Sequence, residues 1–278
     1  MVNKKFILNL ATTGIIPTKQ MTPYVPILPD EIVNDVLSLV DLGINMVHLH
    51  ARDSATGEPT YTKEVYAEII RGIRKEEKDL ILCVSTTGRL FTEFEKRSDC
   101  LNLEGEVKPD FASLTLSSVN FNNQASMNSP QMIQDLAKRM LEREIRPELE
   151  VFDLGMINYA KYLIHKGLLR PPYYFNLILG NIASAQADML HLGLMINELP
   201  EGSIWSVGGV GNFQLQMNAM AVVAGGGVRV GLEDNIWYDT ERTRLATNRD
   251  LVERIISIAK ALGREPFNPI EARYLFQL

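Results

Sequence analysis

The stretch Met46-Val47-His48-Leu49-His50-Ala51-Arg52-Asp53 starts apolar and turns polar. With the residues just before it, its apolar part reads as a short buried strand over residues 44–50. Upstream, residues 30–42 repeat apolar side chains at helical spacing, after Pro29 and before Gly43, a start and a stop for a helix. Downstream, residues 63–75 show the same spacing. A strand set between helices is therefore the local unit, and it recurs along the chain. Apolar runs rich in Val, Ile, Leu and Phe, as strands buried on both faces should be, cover residues 6–11, 80–85, 111–116, 148–152, 174–179, 203–207 and 227–231. Helical patterns separate them: one opened by Ser129-Pro130, then residues 156–166, 183–195, 213–224 and 251–262. Residues 91–100 are the least regular. Eight strands each followed by a helix predict a (β/α)8 TIM barrel, a single domain over residues 1–278, rather than an open doubly wound sheet.

Two segments fall outside this repeat. Residues 14–29 carry several prolines and read as an ordered loop after the first strand. The tail, residues 265–278, holds Phe267, Tyr274, Leu275, Phe276 and Leu278, too apolar to stand in water. It is expected to pack on the barrel or at an interface with a neighbouring subunit, the latter making the chain a homo-oligomer. The mild acidic balance, 34 acids against 28 bases, excludes a nucleic-acid surface, which needs a basic field. No window has the roughly 18 consecutive apolar residues of a membrane span, and residues 6–10 are too short and polar for a signal peptide core. The 2 cysteines, Cys83 and Cys100, are too few for a disulfide scaffold. A soluble cytoplasmic protein is the expectation.

In a barrel of this kind the reactive groups sit at the C-terminal ends of the strands and in the loops that follow. Polar residues crowd those ends here: His48 and His50, Ser85-Thr86-Thr87-Gly88-Arg89, Ser113, Glu148 and Glu150, and Arg229 through Asn235. The chain has 4 histidines, and His48 and His50 share one strand end. Residues i and i+2 of a strand face the same way, so both imidazoles enter the barrel mouth. Two imidazoles and one carboxylate with an open position form a catalytic zinc arrangement. The carboxylate must come from another strand, and Glu233, Asp234 and Glu150 all qualify. His165 and His191 lie in helical patterns and read as surface or packing residues. Gly208-Gly209-Val210-Gly211 lacks the third glycine of a dinucleotide fingerprint. It opens a helix after the seventh strand, where Gly209 and Gly211 are expected to offer backbone N–H groups to phosphate. Gly225-Gly226-Gly227 reads as a helix stop with tight packing.

Four strings carry a family resemblance: Met46 to Asp53, Val84-Ser85-Thr86-Thr87-Gly88, Pro147-Glu148-Leu149-Glu150-Val151-Phe152, and Val228-Arg229-Val230-Gly231-Leu232-Glu233-Asp234-Asn235. In this order they resemble the β-keto acid cleavage enzymes. The resemblance implies a barrel with one zinc per subunit, and conversion of a β-keto acid plus acetyl-CoA into acetoacetate plus a new acyl-CoA. It implies zinc on His48, His50 and Glu233, Asp234 as the base, Arg229 as its charged partner, and Ser85 and Glu150 as active-site residues. Thr87 and Gly88 fall on the substrate loop, and Ser113 stands where a threonine is usual. A tetramer is implied as well. Members that take an amino-substituted keto acid are expected to carry a glutamate on the loop after the first strand. This chain has Ile16 there, so an apolar wall is expected. A metal-dependent hydrolase, an aldolase on the same barrel and a non-catalytic metal-binding protein are the competing readings.

Overall fold

A short run of fully buried residues, Leu8–Ala11, forms the first barrel strand, β1. The computed structural model describes residues 4–278. Seven more strands follow: β2 (Met46–Leu49), β3 (Ile81–Val84), β4 (Phe111–Thr115), β5 (Arg146–Val151), β6 (Tyr174–Leu179), β7 (Ile204–Gly209) and β8 (Gly227–Val230). Every neighbouring pair is parallel, and the sheet closes through β8 against β1. The register sets Ala11 beside His48, Leu49 beside Val84 and Thr115 beside Glu150. The expected barrel is the observed fold.

The expected first strand, residues 6–11, is divided. Lys5–Phe6 pairs instead with Glu265–Pro266 beneath the barrel. Asn45 fixes the break: its side-chain oxygen accepts from Leu8 N–H at 3.0 Å, and its amide donates to Phe6 and Phe267 carbonyls.

The helices are α1 (Pro29–Leu39), α2 (Lys63–Glu76), the short α3 (Phe94–Arg97), α4 (Pro130–Glu142), α5 (Leu154–His165), α6 (Met189–Glu198), α7 (Gln214–Ala224), α8 (Asn248–Ala261) and α9 (Pro269–Phe276). The longer helices turn apolar residues inward, as Ile32, Val36 and Leu39 do in α1. The helix predicted over residues 183–195 begins later. Asp188 caps α6, accepting from His191 N–H at 2.8 Å, while Ala185 N–H is drawn to Phe152 O at 2.8 Å. Those two bonds hold residues 183–188 out of the helix. Among the described residues no helix is long and apolar enough to cross a membrane.

The tail closes the floor of its own barrel. Asn268 and Glu271 form a reciprocal cap that starts α9, with Glu271 N–H to Asn268 Oδ1 at 2.9 Å. Phe276 is fully buried, its ring 5.0 Å from Phe111 and 5.2 Å from Tyr174, edge to face. Ile7, Met46, Ile81, Cys83 and Ala272 complete this cluster. The inner face of the tail is therefore occupied within the chain, and the outer face presents Ile270 and Tyr274 to solvent.

Candidate active site

The C-terminal ends of the strands surround a cleft of about 740 Å3. His48 on β2 and His50 just beyond it both turn into the barrel mouth, their Nε2 atoms 3.3 Å apart. Glu233 comes from the loop after β8 and brings Oε1 to 3.3 Å from His50 Nε2. One donor atom from each of these three residues lies within 4.8 Å of the other two. The second Glu233 oxygen, Oε2, is buried with no hydrogen-bond partner among the described residues. Two imidazoles and a carboxylate with an orphaned oxygen fit a divalent metal of the zinc type.

Two glycines let Glu233 stand there. Gly231 turns the chain out of β8, where an added Cβ would fall 2.0 Å from the Ala11 carbonyl oxygen. Gly14, at φ +67, lies under the Glu233 side chain, and its Cβ would fall 2.6 Å from Glu233 Cγ. Glu233 N–H then reaches Ala11 O at 3.2 Å, and Leu232 N–H reaches Asn248 Oδ1 at 2.8 Å. Arg52, buried beneath the loop after β1, donates to Gly14 and Pro17 carbonyls at 3.0 and 2.9 Å and fixes that loop.

Arg229 on β8 is the electrostatic hub. Its Nη2 donates to Glu233 Oε1 at 2.6 Å and its Nε to Asp234 Oδ2 at 2.9 Å. Its Nη1 lies 3.7 Å from Glu150 Oε1 and has no hydrogen bond among the described residues. Burial alone would raise the Glu233 pKa, but Arg229, His50 and His48 outweigh it and hold the carboxylate well below its usual range. For Asp234 burial wins over Arg229, Glu233 adds to it, and the pKa rises. The Glu150 pKa also rises through burial, against the pull of His48 and Arg229. Burial lowers the His50 pKa. It pulls His48 the same way, but Glu148 and Glu233 prevail and push His48 up to about 9. Metal binding would displace that proton.

Glu148, unassigned in the sequence reading, lies directly behind the donor set. It is fully buried and accepts from His48 Nδ1 at 2.6 Å. Asn9 and Asn176 donate to its other oxygen at 2.7 and 3.2 Å. A carboxylate that orients a metal-facing imidazole is the expected outer-shell partner. The spacing of Glu148 and Glu150 repeats that of His48 and His50, so the same alternation rule puts both on the inner face.

Ser85, Thr87 and Ile16 line the cleft with Glu150, Arg229, Glu233 and Asp234. Ser85 Oγ accepts from Thr87 N–H at 3.3 Å. Gly88 serves packing: a Cβ there would fall 2.3 Å from Met127 O, and Met127 N–H donates to Gly88 O. Ser113 lies deeper on β4, where its hydroxyl accepts from Thr86 N–H at 3.1 Å. The β4 hydroxyl at the cleft is that of Thr115, which donates to Glu150 at 2.6 Å. The phosphate-cradle expectation fails for Gly211, whose N–H is spent on Asp234 O at 2.8 Å. Gly209 sits in the ladder opposite Leu179, its missing side chain making room for the Phe213 carbonyl. His165 and His191 lie on α5 and α6 and do not line the cleft. Both cysteines are buried and unpaired, and burial pushes Cys100 up to about 12.

The fold and site define an enzyme of the (β/α)8 class with its chemistry at the barrel mouth. A sequence profile of β-keto acid cleavage enzymes matches residues 5–278, and the chain belongs to that family. It is 38% identical to the 3-keto-5-aminohexanoate cleavage enzyme of Fusobacterium nucleatum subsp. nucleatum, over 99% of this chain and 98% of the relative. To the 3-oxoadipate:acetyl-CoA acetyltransferase of Cupriavidus necator it is 33% identical, over 98% and 94%. Among solved structures, the apo structure of ObcA superposes with a TM-score of 0.80 at 22% identity, covering 92% of this chain and 66% of that one, a likeness of fold.

Proposed function

We propose that the chain catalyses zinc-dependent acyl exchange between a β-keto acid and acetyl-CoA, giving acetoacetate and a new acyl-CoA. The observation that carries this reading is the donor set His48, His50 and Glu233 beside an arginine-held aspartate in one cleft. Zinc there would act as a Lewis acid toward the oxygens of the keto acid. Asp234, fixed by Arg229, takes a proton from the carbon between the keto and carboxylate groups. That carbon forms a bond to the acetyl carbonyl, and the CoA thiolate leaves. The thiolate adds to the original keto carbon, the older carbon–carbon bond breaks, and acetoacetate regains the proton from Asp234. Ser85 and the Thr115–Glu150 pair border the space in which the carbonyl oxygens change charge. Purified protein should hold about one zinc per chain and form acetoacetate from acetyl-CoA and β-keto acids. The His48→Ala/His50→Ala double variant should lose both. Full metal occupancy in that variant would sink the site.

Ile16, half exposed at the cleft, bears on the substrate. Glu31 is no substitute for a glutamate there, because it caps α1 at Ile27 N–H and pairs with Lys19. Glu58 is exposed and outside the cleft wall. Each methylene buried on the isoleucines contributes about 0.8 kcal/mol, whereas an ammonium there forgoes a charged hydrogen bond of roughly 1.5–3 kcal/mol. The chain should prefer 3-oxohexanoate over its 5-amino analogue by at least about tenfold in kcat/KM, and Ile16→Glu should narrow the gap. A wild type that favours the amino compound refutes the apolar wall.

The exposed Ile270 and Tyr274 on α9 support a homo-oligomer, with a tetramer following from the family resemblance. Light scattering should give a multiple of 31.3 kDa, and a monomer overturns this. Two buried unpaired thiols favour a reducing, cytoplasmic setting.

A further inference from the structure

Family membership does not choose the keto acid, since the two relatives are named for substrates that carry opposite charges beyond the keto group. The cleft wall does choose. Its acids are Glu150, Glu233 and Asp234, and Arg229 faces all of them. The wall holds two further arginines, Arg89 and Arg242. Arg242 is exposed at the rim and gives its Nε to Asn212. Arg89 is different. Its guanidinium stacks 3.6 Å over the Phe121 ring and makes no hydrogen bond or ion pair among the described residues. Its Nε is buried without a hydrogen-bond partner among the described residues. A half-buried cation fixed by stacking, with its N–H edge unused, is a preorganised receptor for an anion.

Ile15 and Thr87 line both this cleft and the narrow recess beside His50, so the loops after β1 and β3 meet there. The apolar stem of a substrate can then lie on Ile15 and Ile16 while its end reaches Arg89.

Building on the acyl-exchange reading, we propose that Arg89 binds a second anionic group at the far end of the keto acid, so that the substrate is a β-keto dicarboxylic acid. The other source of an anion is a phosphate of CoA, and the test separates them. 3-Oxoadipate and 3-oxohexanoate have equal carbon chains and differ in a terminal carboxylate. Wild type should favour 3-oxoadipate by at least about tenfold in kcat/KM, the size of one charged hydrogen bond. Arg89→Gln should lower the ratio of the two kcat/KM values by about 10–100-fold, and Arg89→Lys should restore part of it. Calorimetry on zinc-loaded protein without acetyl-CoA should show the same shift in binding ratio. If calorimetry shows it while no acetoacetate forms from either acid, acyl exchange fails and the Arg89 assignment stands. An unchanged ratio in Arg89→Gln overturns the assignment. So does a rise in KM for acetyl-CoA that acetyl-pantetheine does not share, because the anion would then be a CoA phosphate.

Discussion

Asp234→Asn is expected to keep the metal and lower turnover by about 10²–10⁴-fold, the range of a positioned general base. Arg229 holds the two neighbouring acids by different nitrogens, Nε to Asp234 at 2.9 Å and Nη2 to Glu233 at 2.6 Å. The asparagine oxygen can still accept from Nε, so the arginine stays in place and the donor set is undisturbed. What is lost is the ability to take the proton. Glu233→Gln should do the reverse. Its Oε1 serves both His50 and Arg229, and its Oε2 has no hydrogen-bond partner among the described residues. An amide there brings N–H toward donors or toward the metal, and the metal leaves. Metal analysis of both variants, followed by single-turnover assays at saturating zinc, decides the matter. Equal loss of metal in the two variants would mean that the acids share one role.

The barrel was legible because each strand is a short apolar run and each helix has a periodic stripe. Alternation along a strand also placed His48 beside His50, which the 3.3 Å between their Nε2 atoms bears out. What one-dimensional periodicity lacks is depth. Ser113 and Thr115 face the same side of β4, but only Thr115 is high enough to meet Glu150. Nor does sequence show who takes a backbone donor. Gly211 looks free to cradle a phosphate until the β8 loop folds over and Asp234 O claims its N–H. Arg89 was in view as part of a polar strand end, but its stacking on Phe121 and the lack of a hydrogen-bond partner for its Nε among the described residues are visible only once the neighbours are placed. The tail illustrates the same limit. Its apolar content called for a cover, and Phe276 finds one in the floor of its own barrel.

The remaining large effect is expected far from solvent, at Glu148. This carboxylate accepts from His48 Nδ1 at 2.6 Å, and the opposite nitrogen, Nε2, faces His50 at 3.3 Å and the donor set. As long as Oε2 accepts, the imidazole proton is kept on Nδ1 and the Nε2 lone pair is left for the metal. Burial would raise the Glu148 pKa, but His48, Arg229 and the Asn9 amide hold it below its usual range, so it remains an acceptor. Glu148→Gln preserves volume and the bonds from Asn9 and Asn176, because the amide oxygen can occupy the Oε1 position. The amide nitrogen is then left facing His48 Nδ1, which must accept rather than donate. The imidazole proton moves to Nε2, where a ligand lone pair is needed. Metal affinity should fall by about 10–100-fold, the usual cost of an outer-shell partner. Competition with a chelator measures it. Asn176→Leu serves as the control, since the Asn176 amide donates to Oε1 at 3.2 Å and not to the oxygen that faces His48, which leaves the tautomer alone. The control should stay within a few-fold of wild type. Wild-type affinity in Glu148→Gln would show that the tautomer is set elsewhere.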